Sequence, residues 1–328
     1  MKAIVTGGAG FIGSHMVDLL VENNFEVVII DNLVNGRVDN FSHHKESVTF
    51  HNLDLCKTVN LIDYIQGADY VFHFAALADI VPSINNPIQY HKANVEGTLN
   101  LLEACKDLKG LKKFIYAASS SCYGIPETYP TPETSAIRPE YPYAHTKRVG
   151  EEYALHWATV YNIPVISMRF FNVYGPRHRT SGAYGAVFGV FLAQRINNKP
   201  LTIVGDGEQT RDFTFVTDVV NACYVASQSK YSNQIFNVGS GNTYSINYLA
   251  ELLGGEKIYI PKRPGEPQCT FADISKINKL LDWSPSVKFE DGVKIMFDNI
   301  DFWKDAPIWN ENSIKEATQV WFDCLGEK

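Results

Sequence analysis

Apolar residues in the first half of the chain come in short unbroken runs, separated by stretches with helical spacing. Residues 2–6 (Lys-Ala-Ile-Val-Thr), 26–30 (Glu-Val-Val-Ile-Ile), 70–74 (Tyr-Val-Phe-His-Phe) and 114–118 (Phe-Ile-Tyr-Ala-Ala) are runs of this kind. Runs this short, with little polar alternation, predict strands buried on both faces of a parallel sheet. Between them, 15–21 carries a helical apolar pattern, and 94–108 places Leu99, Leu102 and Cys105 near one face. The pattern over 143–161 predicts a long helix, stopped by Asn162 and Pro164. A strand is expected over 164–169. The helix after Thr217-Asp218 and the strand 234–238 return to the same sheet. Alternating strands and helices predict an α/β fold built on a doubly wound parallel sheet.

Past Phe170 the rhythm breaks, and Gly, Pro and Arg cluster at 175–185, 205–212 and 261–267. This predicts a smaller, mixed α/β substrate-binding lobe over the sheet's carboxyl edge, where such folds bind ligands. The expected division is 1–172 with 213–239 for a dinucleotide domain, and 173–212 with 240–328 for the second lobe.

The turn after the first strand sharpens this picture. Gly7, Gly10 and Gly13 recur every third residue between the strand and the helical pattern that starts near His15. Strand, glycine turn and helix form the Rossmann-type context of a dinucleotide fingerprint, in which a pyrophosphate approaches bare backbone at a helix N-terminus. Asp31-Asn32 ends the second strand. An acid there accepts from ribose hydroxyls and repels a 2′-phosphate, which favours NAD over NADP, although Arg37 stands nearby to tolerate that phosphate.

The chain has 328 residues, 45% of them hydrophobic, enough for one large or two medium domains. A net charge of −7 argues against nucleic acid or an anionic membrane as partner. The six cysteines show no metal-type spacing and read as reduced thiols of a cytoplasmic protein. Met1-Lys2 runs straight into the first strand, so no leader is expected. No apolar stretch reaches the length of a membrane span. His43, His44 and His51 lie in a polar stretch and read as solvated, and no metal site is expected.

Tyr143 and Lys147 are four apart, which stacks them on one helix face, and Pro142 suits the first turn of that helix. An ammonium beside a phenol favours the phenolate, so Lys147 is expected to lower the Tyr143 pKa and make it an acid/base. Ser119-Ser120-Ser121 follows a strand and so sits at the carboxyl edge, within reach of a substrate held against Tyr143.

With these residues the chain resembles the extended short-chain dehydrogenase/reductase family, within it the nucleotide-sugar epimerases and dehydratases, over about residues 1 to 290. The resemblance rests on Thr6-Gly7-Gly8-Ala9-Gly10-Phe11-Ile12-Gly13-Ser14-His15, Phe72-His73-Phe74-Ala75-Ala76, Asn94-Val95-Glu96-Gly97-Thr98 and the Tyr143/Lys147 pair. It extends through Arg169-Phe170-Phe171-Asn172-Val173-Tyr174-Gly175-Pro176 and Arg263-Pro264-Gly265-Glu266.

The resemblance implies that Tyr143 takes the proton from a sugar hydroxyl, that Lys147 holds the nicotinamide ribose, and that Ser119 is the catalytic serine, with Ser120 and Ser121 open as alternatives in register. It implies a tightly held NAD bound by Gly7, Gly10, Phe11, Ile12, Gly13, Asp31, Asn32, Asp54, Leu55, Phe74, Ala75, Ala76, Asn94 and Phe170, besides Tyr143 and Lys147. Substrate contacts are implied for Ser119 to Ser121, and for Asn172, Arg211 and Arg263 at the diphosphate, where arginine forks suit phosphate oxygens. Residues 180–193, including Val187, are expected against the nucleotide base.

The family's 4,6-dehydratases carry an Asp-Glu pair where Ser120 and Ser121 stand here, so dehydration is disfavoured. What remains is hydride chemistry at C4 of a nucleotide-diphosphate sugar. A 4-epimerase acting through a transient 4-keto sugar and enzyme-bound NADH is the leading expectation, on a UDP-hexose or its N-acetyl or uronate form. The alternatives are a net C4 dehydrogenase or reductase, for example on a GDP-heptose, and a non-catalytic dinucleotide sensor. A serine hydrolase lacks its Gly-x-Ser-x-Gly elbow. A homodimer through 94–108 and 143–161, or a tetramer, is implied. The bulky residues Phe302, Trp303, Ile308, Trp309, Val320, Trp321 and Phe322 read as a helical cap on the second lobe or a subunit contact.

Overall fold

Seven strands form one all-parallel sheet: β1 (Lys2–Thr6), β2 (Glu26–Asp31), β3 (Val48–Asn52), β4 (Tyr70–His73), β5 (Lys113–Ser119), β6 (Val165–Phe170) and β7 (Gln234–Val238). Their order is β7-β6-β5-β4-β1-β2-β3. The structure is a computed structural model that describes residues 1–178 and 186–326. The chain winds outward from β1 in both directions, so the sheet has its topological switch point between β1 and β4. A crevice opens there beyond the carboxyl ends of the strands. This is the Rossmann-type doubly wound sheet that the sequence predicts.

The interior strands carry hydrophobic runs because both faces are covered. On one face Met16, Val17 and Leu20 of the helix Phe11–Glu22 pack with Val219 and Cys223 of the helix Val216–Gln228. On the other, Leu101 and Leu102 of the helix Gly97–Cys105 meet Ala154 of the helix Pro142–Tyr161. A separate core builds the second lobe from Phe188, Phe191, Leu201, Ile203, Leu249, Phe289 and Trp303. The lobes exchange chain where Asn172–Tyr174 pairs in parallel with Phe213–Phe215. Among the described residues no helix is long and apolar enough to cross a membrane.

Three local expectations are corrected. Helix begins before 94, with Pro87–His91, a π turn over Lys92–Glu96, and then Gly97–Cys105. The π turn defeats a search at 3.6-residue spacing. The polar stretch around His51 contains β3, an edge strand with one half-covered face, which hid its alternation. His43 and His44 are not simply solvated: their Nε2 atoms lie 2.8 and 3.2 Å from Asp18 Oδ1. The other carboxylate oxygen of Asp18 lies 2.7 Å from Arg177. One carboxylate thus gathers two imidazoles and a guanidinium at the first helix.

Candidate active site

The glycine turn is dictated by close backbone approach. Gly7 has φ +70°, and a Cβ on it would lie 2.7 Å from Ala75 N. A Cβ on Gly13 would lie 2.1 Å from Gly7 O. Only glycine lets the helix Phe11–Glu22 seat this deeply against the strand ends. Gly10 is its N-cap and brings no side chain to the first turn. The first amides of the helix, unpaired within it, give this end a positive partial charge suited to a phosphate.

Gly7, Gly10, Phe11, Ile12 and Gly13 line a cleft of about 960 Å³. That volume is at the upper end for a small-molecule site, enough for two sizeable ligands side by side. Asp31, Asn32, Asp54, Leu55, Phe74, Ala75, Ala76 and Phe170 line the same cleft. Asp31 accepts from Ala9 N (3.0 Å) and Leu33 N (2.8 Å), which fixes the carboxylate and leaves lone pairs on both oxygens for hydroxyls. Burial raises the Asp31 pKa above the ordinary carboxylate value, and these two backbone hydrogen bonds only partly offset it. Arg37 also faces the cleft. The donor set, the bare glycine backbone and the acid at the end of β2 together fit a dinucleotide.

The reactive groups converge at the other end. Ser119 closes β5, and its Oγ lies 2.8 Å from Ser121 Oγ while accepting from Ser121 N. The Ser119 hydroxyl acts on the Tyr143 phenol in the direction that favours the phenolate. Burial works against this and holds Tyr143 above the usual phenol value, helped by Asp79 and Cys122. The expectation of a lowered Tyr143 pKa is corrected here: burial is the largest influence and raises it. The Lys147 ammonium lies over the Tyr116 ring, 4.6 Å from the centroid. Burial brings the Lys147 pKa down to about 7, with Glu151 pulling the other way. The helical spacing places both side chains in the cleft, as the sequence requires, but does not by itself make them partners.

Positioning of this helix comes from residues outside the sequence motif. Glu151, one turn beyond Lys147, receives Arg169 Nε (2.9 Å) and Nη2 (2.8 Å) as a fork, with Ser167 Oγ (2.6 Å) and Arg148 Nη1 (2.7 Å). Arg169 donates onward to Tyr123, which donates to Asn237 on β7. The helix Pro142–Tyr161 is thereby tied to β6 and β7 through a buried charged network.

Asn94, assigned to the cofactor by resemblance, does not line the cleft. It accepts from Leu77 N (2.8 Å) and donates to Leu77 O (2.9 Å) and Thr146 Oγ1 (3.0 Å), so it braces the cleft wall from behind. His73 is a buried pin between Thr6 (2.7 Å) and Thr98 (2.9 Å), kept neutral by a pKa near 3. It is not poised as a base for Ser119.

Ser120, Ser121, Asn172, Val187, Arg211 and Arg263, expected at the substrate, all line the cleft. Arg211 Nη2 lies 2.8 Å from Glu266 Oε1, and Arg263 lies 3.8 Å from Glu266 Oε2. One carboxylate therefore holds both guanidiniums in place. Of the 180–193 stretch, residues 180–185 lie outside the described residues, and Val187 opens the helix Val187–Ile196. Motif reading missed Tyr141, Trp309 and Trp321, which also line the cleft. The two tryptophans lie in the C-terminal segment, where sequence order gives no hint of proximity to Tyr143.

Similarity to known proteins bears on this site. The family model described as "NAD dependent epimerase/dehydratase family" matches residues 3–239. The structure of UDP-glucose 4-epimerase with UDP-glucose from Thermotoga maritima is 34% identical, with a TM-score of 0.87, covering 92% of this chain and 99% of that one. UDP-glucuronic acid 4-epimerase from Bacillus cereus, in complex with UDP-glucuronic acid and NAD, is 35% identical with a TM-score of 0.86, covering 92% and 99%. UDP-glucuronic acid decarboxylase 1 of Xenopus tropicalis is 33% identical over 89% of this chain and 70% of that protein.

Proposed function

We propose that this chain, which belongs to the NAD-dependent epimerase/dehydratase family, is a 4-epimerase of UDP-sugars acting through a transient 4-keto sugar. The observation that carries the reading is that Ser119, Tyr143 and Lys147 line one dinucleotide-fitted cleft, with hydroxyls and no carboxylate at Ser120 and Ser121. Elimination of water needs an acid and a base on neighbouring positions, which serines cannot supply. The similarity to UDP-glucose and UDP-glucuronic acid 4-epimerases supports the choice of nucleotide and carbon.

Tyr143, as phenolate, accepts the proton of the sugar O4 hydroxyl and later returns it; the positive charges of a bound nicotinamide and of protonated Lys147 would offset the burial that raises its pKa. Ser119 orients that hydroxyl and stabilises the phenolate. Lys147 holds the nicotinamide ribose. NAD, when bound, supplies the acceptor for the C4 hydride and gives it back. Arg211, Arg263 and Asn172 hold the diphosphate, so the sugar can turn over while its nucleotide stays fixed. Return of the hydride to the opposite face would invert C4 with no net redox change, and the cleft would hold the cofactor throughout. The helices Gly97–Cys105 and Pro142–Tyr161 pack together and leave Val160 and Tyr161 exposed, which supports pairing of two copies there. Sedimentation at working concentration reads that association.

The test is proton NMR of the purified protein with UDP-glucose, UDP-N-acetylglucosamine and UDP-glucuronate, without added cofactor. A new anomeric signal of the 4-epimer beyond one equivalent per enzyme supports the reading. One equivalent of 4-keto product with absorbance of reduced nicotinamide gives a net dehydrogenase instead. Release of carbon dioxide from UDP-glucuronate, with a pentose product, gives a decarboxylase.

A further inference from the structure

The C-terminal segment forms part of the cleft wall. It starts in the second lobe, where Trp303 is fully buried in that lobe's core. Gln194 Nε2 then fastens it by donating to Trp309 O (2.7 Å). Asn310 caps the helix Glu311–Leu325 with a reciprocal box to Ser313. That helix packs on the helix Ile80–Asn85 of the first lobe, directly after the loop that lines the cofactor end. Phe302, Ala306, Pro307, Trp309 and Trp321 line the cleft from this segment.

Trp321 is the point at which the segment meets the reacting groups. It is 4% exposed. Its Nε1 donates to Pro264 O at 2.7 Å, and the Arg263 guanidinium lies 5.6 Å from its ring centroid. On its other side the ring lies 6.4 Å from that of Tyr141, which stacks on Tyr143 at 6.4 Å and 10°. A single side chain thus touches both the arginine turn at the diphosphate and the aromatic neighbour of the acid/base.

We infer that Trp321 is a positioning and retention residue of the nucleotide-sugar site. It holds the Arg263–Pro264 turn for the diphosphate and closes the cleft so that the oxidised sugar is returned to product rather than lost. The second half of this rests on the 4-epimerase reading; the first does not. A keto sugar that escapes leaves its hydride, and so two electrons, on the cofactor, with one proton left on the protein. Each escape therefore removes one active site and leaves one reduced nicotinamide.

The experiment compares wild type, Trp321→Ala and Trp321→Phe in two readouts. Calorimetric titration with UDP reports the turn. Loss of the stacked cation and the hydrogen bond is expected to weaken UDP by about fivefold or more in Trp321→Ala. Trp321→Phe keeps the ring and recovers most of the difference. Absorbance of reduced nicotinamide during turnover of UDP-glucose reports escape, and Trp321→Ala is expected to accumulate it per product formed at least about tenfold faster than wild type. If Trp321→Ala melts early, Trp321→Leu fills the space without ring or indole N–H and carries both readouts. UDP affinity and accumulation unchanged in the variant would overturn the inference. A wild type that epimerises none of the sugars sinks the 4-epimerase reading instead, and the UDP titration still decides the role of Trp321.

Discussion

Replacing Glu151 by Gln tests the claim that the helix Pro142–Tyr161 is held by a buried charged network. Glu151 is 1% exposed and accepts four hydrogen bonds, two of them from the Arg169 fork. Glutamine keeps the shape but turns an NH₂ group toward the guanidinium, so Arg169 stays buried without a counter-charge. Breaking one side of a buried pair costs about 3–5 kcal/mol. An unfolding entropy of roughly 2.1 cal/mol/K per residue gives about 0.7 kcal/mol/K for 328 residues, so Tm should fall by about 4–7 °C.

The control is Glu152→Gln, since the Glu152 side chain is 56% exposed and its pair with Arg148 should be worth under about 0.5 kcal/mol. Differential scanning calorimetry of both variants at pH 7 is the assay. The pKa direction adds a second axis. Burial pushes the Glu151 carboxyl up, but Arg169, Ser167 and Arg148 bring it below the ordinary glutamate value. Its stabilisation is therefore present above the unfolded pKa and is lost as pH falls through the lower folded value. The gap between wild type and Glu151→Gln should narrow on acidification below about pH 4.5. A Glu151→Gln melt within 1 °C of wild type, as an order-of-magnitude bound, would refute the network as the anchor.

Other outcomes follow from the same geometry. Tyr143→Phe should lower kcat by about 10²- to 10⁴-fold while NAD stays bound, read by steady-state rates and the bound-cofactor spectrum. Asp31→Ala should weaken NAD and relax rejection of NADP; unchanged Kd values for both would remove Asp31 from the ribose. Gly13→Ala drives a methyl to within 2.1 Å of Gly7 O, so the turn must open, and the purified protein should lose bound NAD. Lys147, with a pKa of about 7, must take up a proton when NAD requires its ammonium. Above that pH, NAD affinity should fall about tenfold per pH unit, with proton uptake visible as buffer-dependent calorimetric heats.

Much of the first lobe was legible because its physics is local. Gly7 and Gly13 sit where backbone touches backbone, and the buried strands carry runs with few alternatives. Tyr143 and Lys147 follow from one helical period. The support beneath them does not, because Glu151 meets Arg169 and Ser167 across eighteen and sixteen residues, and Asn94 meets Leu77 through a π turn of irregular spacing. Charge at that separation looks like surface charge until the sheet is built. The direction of the Tyr143 pKa was misjudged for a related reason. Sequence gives proximity on a face, whereas burial decides how readily the phenol takes its charge. Trp321 was missed because 180 residues separate it from Tyr141, with which it shares one wall.

The place of β7 in the sheet bears on how the chain is made. β6 pairs with a strand that follows only after about sixty further residues, most of them in the second lobe. At synthesis rates of roughly 5–20 residues per second, the β6 edge stays open for about 3–13 s in each nascent chain. An exposed flat edge is a template for pairing with another copy. A chain cut just before Gln234 should therefore aggregate on expression where the full chain stays dispersed, and a soluble truncated chain would show that the edge is protected by other means.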